Sequence, residues 1–121
     1  MKKIVAITGA SGNMGLETVA QLMESDVVEK IKVLLLNERR ERKCAKEWKR
    51  KYGNEIEVIF GDIAEIEDCR KLVANSDYVL NLAAVIPPTA DHYPVLTDRC
   101  NRIGAMNIVD AVSEIKENQP K

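Results

Sequence analysis

The residues with the clearest chemistry are three glycines near the start of the chain, Gly9, Gly12 and Gly15, which are spaced three apart. They follow an apolar run at residues 4–7, which has no polar alternation and is typical of a strand buried on both faces. In a strand–turn–helix crossing, such glycines allow a tight turn, close approach of the backbone to a pyrophosphate, and close packing of the helix on the strand. The spacing therefore predicts a phosphate-binding turn.

A helix that begins directly after this turn would complete the anion site. Its first backbone N–H groups, near Asn13 and Met14, have no partner within the helix, and the positive end of the helix dipole favours negative charge. Val19, Leu22 and Met23 share one helical stripe, as a helix packed on a sheet requires. We therefore expect a β-α unit that binds phosphate at its joint.

Residues 8–15, Thr-Gly-Ala-Ser-Gly-Asn-Met-Gly, resemble the T-G-x-x-G-x-x-G signature of short-chain dehydrogenases/reductases. They resemble more narrowly the extended branch of that family, which contains NAD(P)-dependent sugar epimerases and dehydratases. A lone glycine triplet also occurs as a plain turn, but here a strand precedes it and a helix follows. The resemblance implies that a dinucleotide contacts Gly9, Ser11, Gly12, Asn13, Met14 and Gly15.

The end of the second strand, residues 31–36, is where this family contacts the adenosine ribose. Asn37 stands where NAD-dependent members usually carry Asp, and Arg39 and Arg40 follow it. Guanidinium groups bind phosphate bidentately, so this pattern favours NADP slightly over NAD. The alternative is that Arg39 and Arg40 only begin a charged helix, which runs to Gly53.

The third strand, residues 55–60, is followed by Gly61-Asp62-Ile63, which resembles the family's G-D-[IVL] step. There the Asp side chain meets the adenine amino group, so the resemblance places Asp62 and Ile63 at the cofactor. Asp62 could instead cap the helix that follows, a role that Asp often has. The two roles are compatible.

The fourth strand, residues 77–81, ends in a segment that resembles the family's [HN]-x-A-[AG] pattern. Its small residues let the cofactor lie against the end of the strand, which implies contacts from Leu82, Ala83 and Ala84. The alternative is an ordinary strand that leaves the sheet on alanines.

The last predicted helix, residues 95–117, matches the family's N-V-x-G-T-x-N pattern at Asn101, Gly104 and Asn107. On a helical wheel Asn101 shares the apolar stripe, so we expect its side chain to point towards the sheet, where a polar group needs a partner. In the family this Asn supports the strand ends near the cofactor. The alternative is a polar residue in solvent near the start of the helix.

The family's catalytic pair, a Tyr and a Lys four residues apart, has no counterpart in these 121 residues. The three tyrosines are followed four residues later by Ile56, Leu82 and Thr97. Residues 85–94 predict an irregular loop because three prolines interrupt them, and we interpret the single His92 there as an exposed bystander. We therefore predict no catalytic residue in the chain.

The elements that must position these motifs form four β-α units. Together with the resemblance, they predict an α/β fold: a Rossmann-like, doubly wound parallel sheet of about four strands in the order 3-2-1-4, with helices on both faces. We expect one NAD(P)-binding domain at residues 1–117, ending before the catalytic Tyr and Lys region, and a frayed tail at 118–121. The apolar edge of strand four predicts a homodimer.

Composition restricts the function further. The formal net charge of −1 gives no basic field for nucleic acid or anionic membrane, and no apolar run approaches a membrane span of about 20 residues. Three scattered cysteines indicate neither a disulfide framework nor a metal site. These features favour a cytoplasmic protein.

The leading hypothesis is the NAD(P)-binding domain of an epimerase/dehydratase or reductase-type oxidoreductase. Its parent would act by reversible hydride transfer on a nucleotide-sugar or another carbonyl or alcohol substrate, and the fragment alone would not be catalytic. The alternative is a non-catalytic module that senses dinucleotides. A glycine loop for S-adenosylmethionine explains the other motifs less well.

Overall fold

The computed structural model describes residues 2–84 and 89–121. Its centre is a parallel sheet of four strands in the order β3-β2-β1-β4, which confirms the predicted topology. The strands are β1 (Lys3–Thr8), β2 (Val28–Leu35), β3 (Ile56–Phe60) and β4 (Tyr78–Asn81). The helices are α1 (Asn13–Met23), α2 (Arg39–Tyr52), α3 (Ile66–Val73), α4 (Thr89–His92), α5 (Pro94–Asp98) and α6 (Ala105–Ser113), with a short 3-10 turn at Gly53–Glu55 and a π-helical turn at Arg99–Gly104.

Strand β1 is the middle of the core because its side chains are buried on both faces of the sheet. Val5 and Ile7 pack in a cluster with residues of α1 and α2, which includes Trp48. Ala6 packs on the other face with residues of α3 and α6, among them Leu72. This alternation explains the continuous apolar run of the sequence, and it confirms helices on both faces of the sheet.

The described part of the segment predicted as an irregular loop is helical except at Tyr93. Residues 85–88 lie outside the described part, but α4 and α5 occupy residues 89–92 and 94–98. Pro94 is the first residue of α5, where its missing N–H removes no intrahelical hydrogen bond. Pro94 therefore marks the start of a helix here rather than excluding one.

Asn101 is more exposed than the helical wheel predicts, and a π-helical turn lies at this position. Asn101 is exposed, whereas Gly104 and Ile108 are buried. A wheel drawn with 3.6 residues per turn assumes one regular helix, but a π-turn contains an extra residue and rotates everything before it. The helix also ends at Ser113 rather than Glu117.

The tail at residues 118–121, expected to fray, is held against the fold. The Gln119 side chain donates to the carbonyl oxygen of Val112 at 3.0 Å. The backbone of Lys121 bridges β4, since its N–H donates to the Asp77 carbonyl at 3.0 Å and its carbonyl accepts the Val79 N–H at 2.7 Å. Edge-strand backbone groups need partners, and the tail supplies them at this position. The homodimer stays a prediction.

Within the described ranges, 2–84 and 89–121, no helix combines the length and apolar character needed to cross a membrane.

Candidate functional site

The glycine turn lies between β1 and α1, and two of its glycines are required by the protein itself. Gly9 has a φ of +69°, and a Cβ there would lie 2.6 Å from the Ala83 nitrogen. A Cβ on Gly15 would collide with the Gly9 carbonyl and the Ala10 backbone. These two positions keep β1, the start of α1 and the exit of β4 in close contact.

Gly12 differs because the fold does not demand a glycine there. A Cβ on Gly12 would meet only the Gly9 carbonyl oxygen among its described neighbours, at an ordinary 3.5 Å. Gly12 is also the N-cap of α1, which has no side-chain cap among the described residues and no acidic residue in its first turn. Asn13 and Met14, which follow it, are exposed. This backbone is accessible to an anion from outside.

A cavity of about 280 Å³ opens beside the turn, at the carboxyl ends of the strands. Five residues predicted from the sequence line it: Gly9, Ser11, Asp62, Ile63 and Ala83. Leu34, Leu35 and Leu36 add apolar walls from the end of β2. A mixed cavity of this kind, at the point where the strand order reverses, suits the adenosine end of a dinucleotide.

The remaining predicted residues do not line this cavity. Leu82 is half-buried and packs against the core, and Ala84 is exposed beside the undescribed residues. Gly12, Asn13, Met14 and Gly15 surround the turn, whereas Asn37, Arg39, Arg40 and Asn101 are exposed. His92 is exposed at the end of α4.

The two arginines predicted to bind phosphate differ in their contacts. The Arg40 guanidinium donates to the Ser11 carbonyl at 3.3 Å, so it reaches across to the glycine turn. Arg39 is the exposed first residue of α2. Arg42, which the sequence analysis missed, donates to the backbone and side-chain oxygens of Asn37 at 3.0 and 3.1 Å.

Asp62 does not cap the helix that follows, so that alternative is wrong. Its carboxylate accepts the Ala64 N–H at 2.8 Å, which forms a local turn, and α3 begins only at Ile66 with Glu65 as its N-cap. Asp68 accepts the Asp62 N–H at 2.9 Å and holds the turn from the other side. The carboxylate of Asp62 is thereby oriented at the cavity wall.

The Thr8 side chain links the ends of two strands beside the cavity. Its buried hydroxyl donates to the Asn81 side chain and accepts the Ala83 N–H at 3.1 Å, so it joins the ends of β1 and β4. Its position as the first residue of the glycine signature was the sequence signal for this role.

Three further cavity residues have no motif that could have revealed them. Arg99 and Cys100 lie on the π-helical turn, and burial raises the pKa of the Cys100 thiol, assisted by the negative charge of Asp62. Glu41 lines the cavity from the first turn of α2, and its Oε2 atom is buried without a hydrogen-bond partner among the described residues.

The chain is similar in sequence to known proteins. A family described as polysaccharide biosynthesis protein matches residues 5–119. A UDP-glucose 4-epimerase from Rickettsia canadensis (strain McKiel) is 28% identical over 115 residues, which are 94% of this chain and 34% of that protein. The chain thus spans about a third of the length of the curated relatives it matches.

Two solved structures show the same fold. Pen from Bacillus thuringiensis superposes with a TM-score of 0.81 at 23% identity, over 93% of this chain and 35% of that one. WbmF from Bordetella bronchiseptica, solved in complex with NAD+, gives 0.71 at 16% identity, over 95% of this chain and 33% of that one.

Proposed function

Since the chain belongs to the polysaccharide biosynthesis protein family, which is NAD-dependent epimerase/dehydratase-like, we propose that it binds the dinucleotide of an oxidoreductase. The observation that carries this proposal is Gly12, an uncapped helix start whose Cβ position the described protein leaves open. A pyrophosphate there would accept the N–H groups of the first turn of α1. WbmF, of the same fold, was solved with NAD+.

The residues that line the cavity also support binding of the adenosine part of the cofactor. Leu34, Leu35 and Ile63 supply apolar surface for a purine ring, and Asp62 supplies a carboxylate for its amino group. When bound, the nicotinamide would supply reversible hydride transfer. The residues of this chain would bind the cofactor, orient it and cover its adenosine half.

We also propose the class of substrate on which the parent protein acts. The UDP-glucose 4-epimerases among the relatives favour a nucleotide-sugar, and another carbonyl or alcohol compound is the wider class. No Tyr-x-x-x-Lys pair occurs in the 121 residues, so we expect this chain alone to bind and not to catalyse.

A titration of the 121-residue chain with NADH, followed by cofactor fluorescence and by thermal stability, tests the proposal. Saturation at 100 times the dissociation constant should add about 2.7 kcal/mol to the free energy of unfolding. Gly12→Ala should weaken binding at least about tenfold, equal to about 1.4 kcal/mol. Gln21→Ala, on the exposed face of the same helix, is the matched control and should bind like the unchanged chain. Folded protein that binds neither NADH nor NADPH would refute the proposal.

A further inference from the structure

Helix α2 concentrates positive charge in a chain that is otherwise acidic. Its 14 residues include eight lysines and arginines but only two glutamates, a net charge of +6, whereas the whole chain carries −1. All eight cationic residues are exposed. None of them forms a salt bridge with a residue that the structure describes. Their charge is therefore available to a partner.

A groove of about 360 Å³ lies between this helix and the edge of the sheet. Arg42, Lys46 and Lys49 follow one rim, and their spacing of four and three residues puts them on one face of the helix. The floor is apolar and includes Val58 and Phe60 of β3. Phe60 is 43% exposed. A row of cations beside an apolar floor is complementary to a narrow ligand that carries several carboxylates.

Strand β3 also offers backbone hydrogen bonds to such a ligand. It is the last strand of the sheet, and its only strand neighbour among the described residues is β2. The Gly61 N–H donates to the Leu35 carbonyl of β2 at 2.8 Å. Because the backbone groups of successive residues in a strand point to opposite sides, those of Val58 and Phe60 point away from β2. The residues of the apolar floor therefore also present N–H and C=O groups at the open edge of the sheet.

We propose that this groove binds an acidic, extended segment of a partner protein, which pairs with the open edge of β3 as an additional strand. In such pairing, main-chain hydrogen bonds give affinity and alternate side chains give specificity. Alternate side chains of a strand lie about 6.6 Å apart, and four residues of a helix span about 6 Å. Glutamates at every second position of the segment would therefore match the spacing of Arg42, Lys46 and Lys49.

Two other occupants fit these observations less well. A second copy, paired through β3 about a two-fold axis, would bring two α2 helices of like charge together, which opposes association. A nucleic acid would satisfy the cations with its phosphates, but it has no alternating N–H and C=O groups for the edge of the strand. The cations, the apolar floor and the strand edge together favour a peptide. This proposal does not depend on dinucleotide binding.

Fluorescence anisotropy tests the charge complementarity with a labelled peptide, Thr-Glu-Thr-Glu-Thr-Glu-Thr, and the 121-residue chain at physiological salt. Lys46→Gln together with Lys49→Gln should weaken binding about tenfold, the size expected for two ion pairs. Lys43→Gln together with Arg50→Gln is the matched control, since it removes the same charge from the same helix outside the groove. This control should change the affinity less than about threefold, because salt screens distant charges. Circular dichroism checks that all three proteins fold alike.

Hydrogen exchange, followed by NMR, tests the strand pairing without any substitution. The saturating peptide should slow exchange at the Val58 and Phe60 amides by at least about tenfold, whereas the Ile59 amide, on the β2 side, should change little. No binding of the peptide to the folded chain, equal losses of affinity in the two double variants, or no protection at Val58 and Phe60 would overturn the proposal. Tighter binding of a single-stranded oligonucleotide of equal charge, or protection that grows with protein concentration without peptide, would also overturn it, in favour of a nucleic acid or a second copy.

Discussion

The two ends of the parallel sheet differ in the polar groups that the described protein leaves without an internal partner. At the amino ends of the strands, the Asp77 carboxylate accepts the Ile4 N–H at 2.8 Å. There the buried Lys32 ammonium also donates to the carbonyls of Lys71 and Ala74, at 3.1 and 2.6 Å. At the carboxyl ends, α1 starts without a side-chain cap and Glu41 holds a buried oxygen without a partner among the described residues.

This difference separates structural polar groups from those available to a ligand. Burial lowers the pKa of Lys32. Its ammonium group donates to the carbonyl of Ala74 at the end of α3, so the fold itself uses its hydrogen-bonding capacity. The backbone N–H groups at the start of α1, beside Gly12, keep their hydrogen-bonding capacity. A ligand can use only hydrogen-bonding groups that the protein itself does not use.

The largest expected effect concerns a glycine that the fold needs at the carboxyl end. Gly15→Ala places a methyl group against the Gly9 carbonyl and the Ala10 backbone, which must move. We expect the free energy of unfolding to fall by about 3 kcal/mol, measured by urea denaturation. Gly12→Ala is the control, since its Cβ fits, and should change stability by less than about 1 kcal/mol. Equal losses of stability in the two variants would contradict the claim that the fold needs a glycine at position 15 but not at position 12.

The next effect concerns the amino end of the strands. Asp77→Ala leaves the Ile4 N–H without its acceptor, so the free energy of unfolding should fall by about 1 kcal/mol while the dissociation constant of NADH stays the same. Asp77→Asn keeps an acceptor oxygen and should recover most of the stability. A change in cofactor affinity without a change in stability would contradict the assignment of this end to folding.

A smaller effect is expected at the cavity thiol. Because burial raises the pKa of Cys100, little thiolate exists at neutral pH, and its alkylation by iodoacetamide should be slow and should accelerate as the pH rises. Bound NADH should slow it further by covering the cavity. Cys69, buried and with a pKa raised to about 11, is the internal comparison and should react more slowly still. Peptide mass spectrometry reads both sites, and identical Cys100 rates with and without bound NADH would place the cofactor elsewhere.

The smallest effect concerns an exposed ion pair. The hydrogen bonds from Arg70 hold the pKa of Glu114 below its ordinary value, so the pair stabilises the fold above about pH 4.3, where unfolded Glu is charged. That contribution is lost as the pH falls through the lower folded value. Glu114→Gln should remove this acid dependence, with a loss near the detection limit because both side chains are exposed. An equal acid dependence in the variant would show that the pair contributes nothing.

The sequence alone predicted the elements whose residues follow a regular pattern. Apolar runs and glycine spacing predicted the four strands, their order and the turn, because burial on both faces and close packing restrict residue type directly. The exposure of Asn101 was not predicted because a π-turn has no marker in the sequence and shifts the helical phase. Glu41 was missed because its place in the cavity lining depends on how α2 packs in the fold, which is a tertiary property.

The central claim is tested most directly by a 1H–15N correlation spectrum of the 121-residue chain, titrated with NADH. We predict that saturable shifts concentrate at the carboxyl ends of the strands, at the amides of Gly12, Asn13, Asp62 and Ala83. The amides of Ile4, Asp77 and Lys121, at the other end, should move little. Shifts centred on the amino ends, or none in a folded protein at millimolar NADH, would contradict the account.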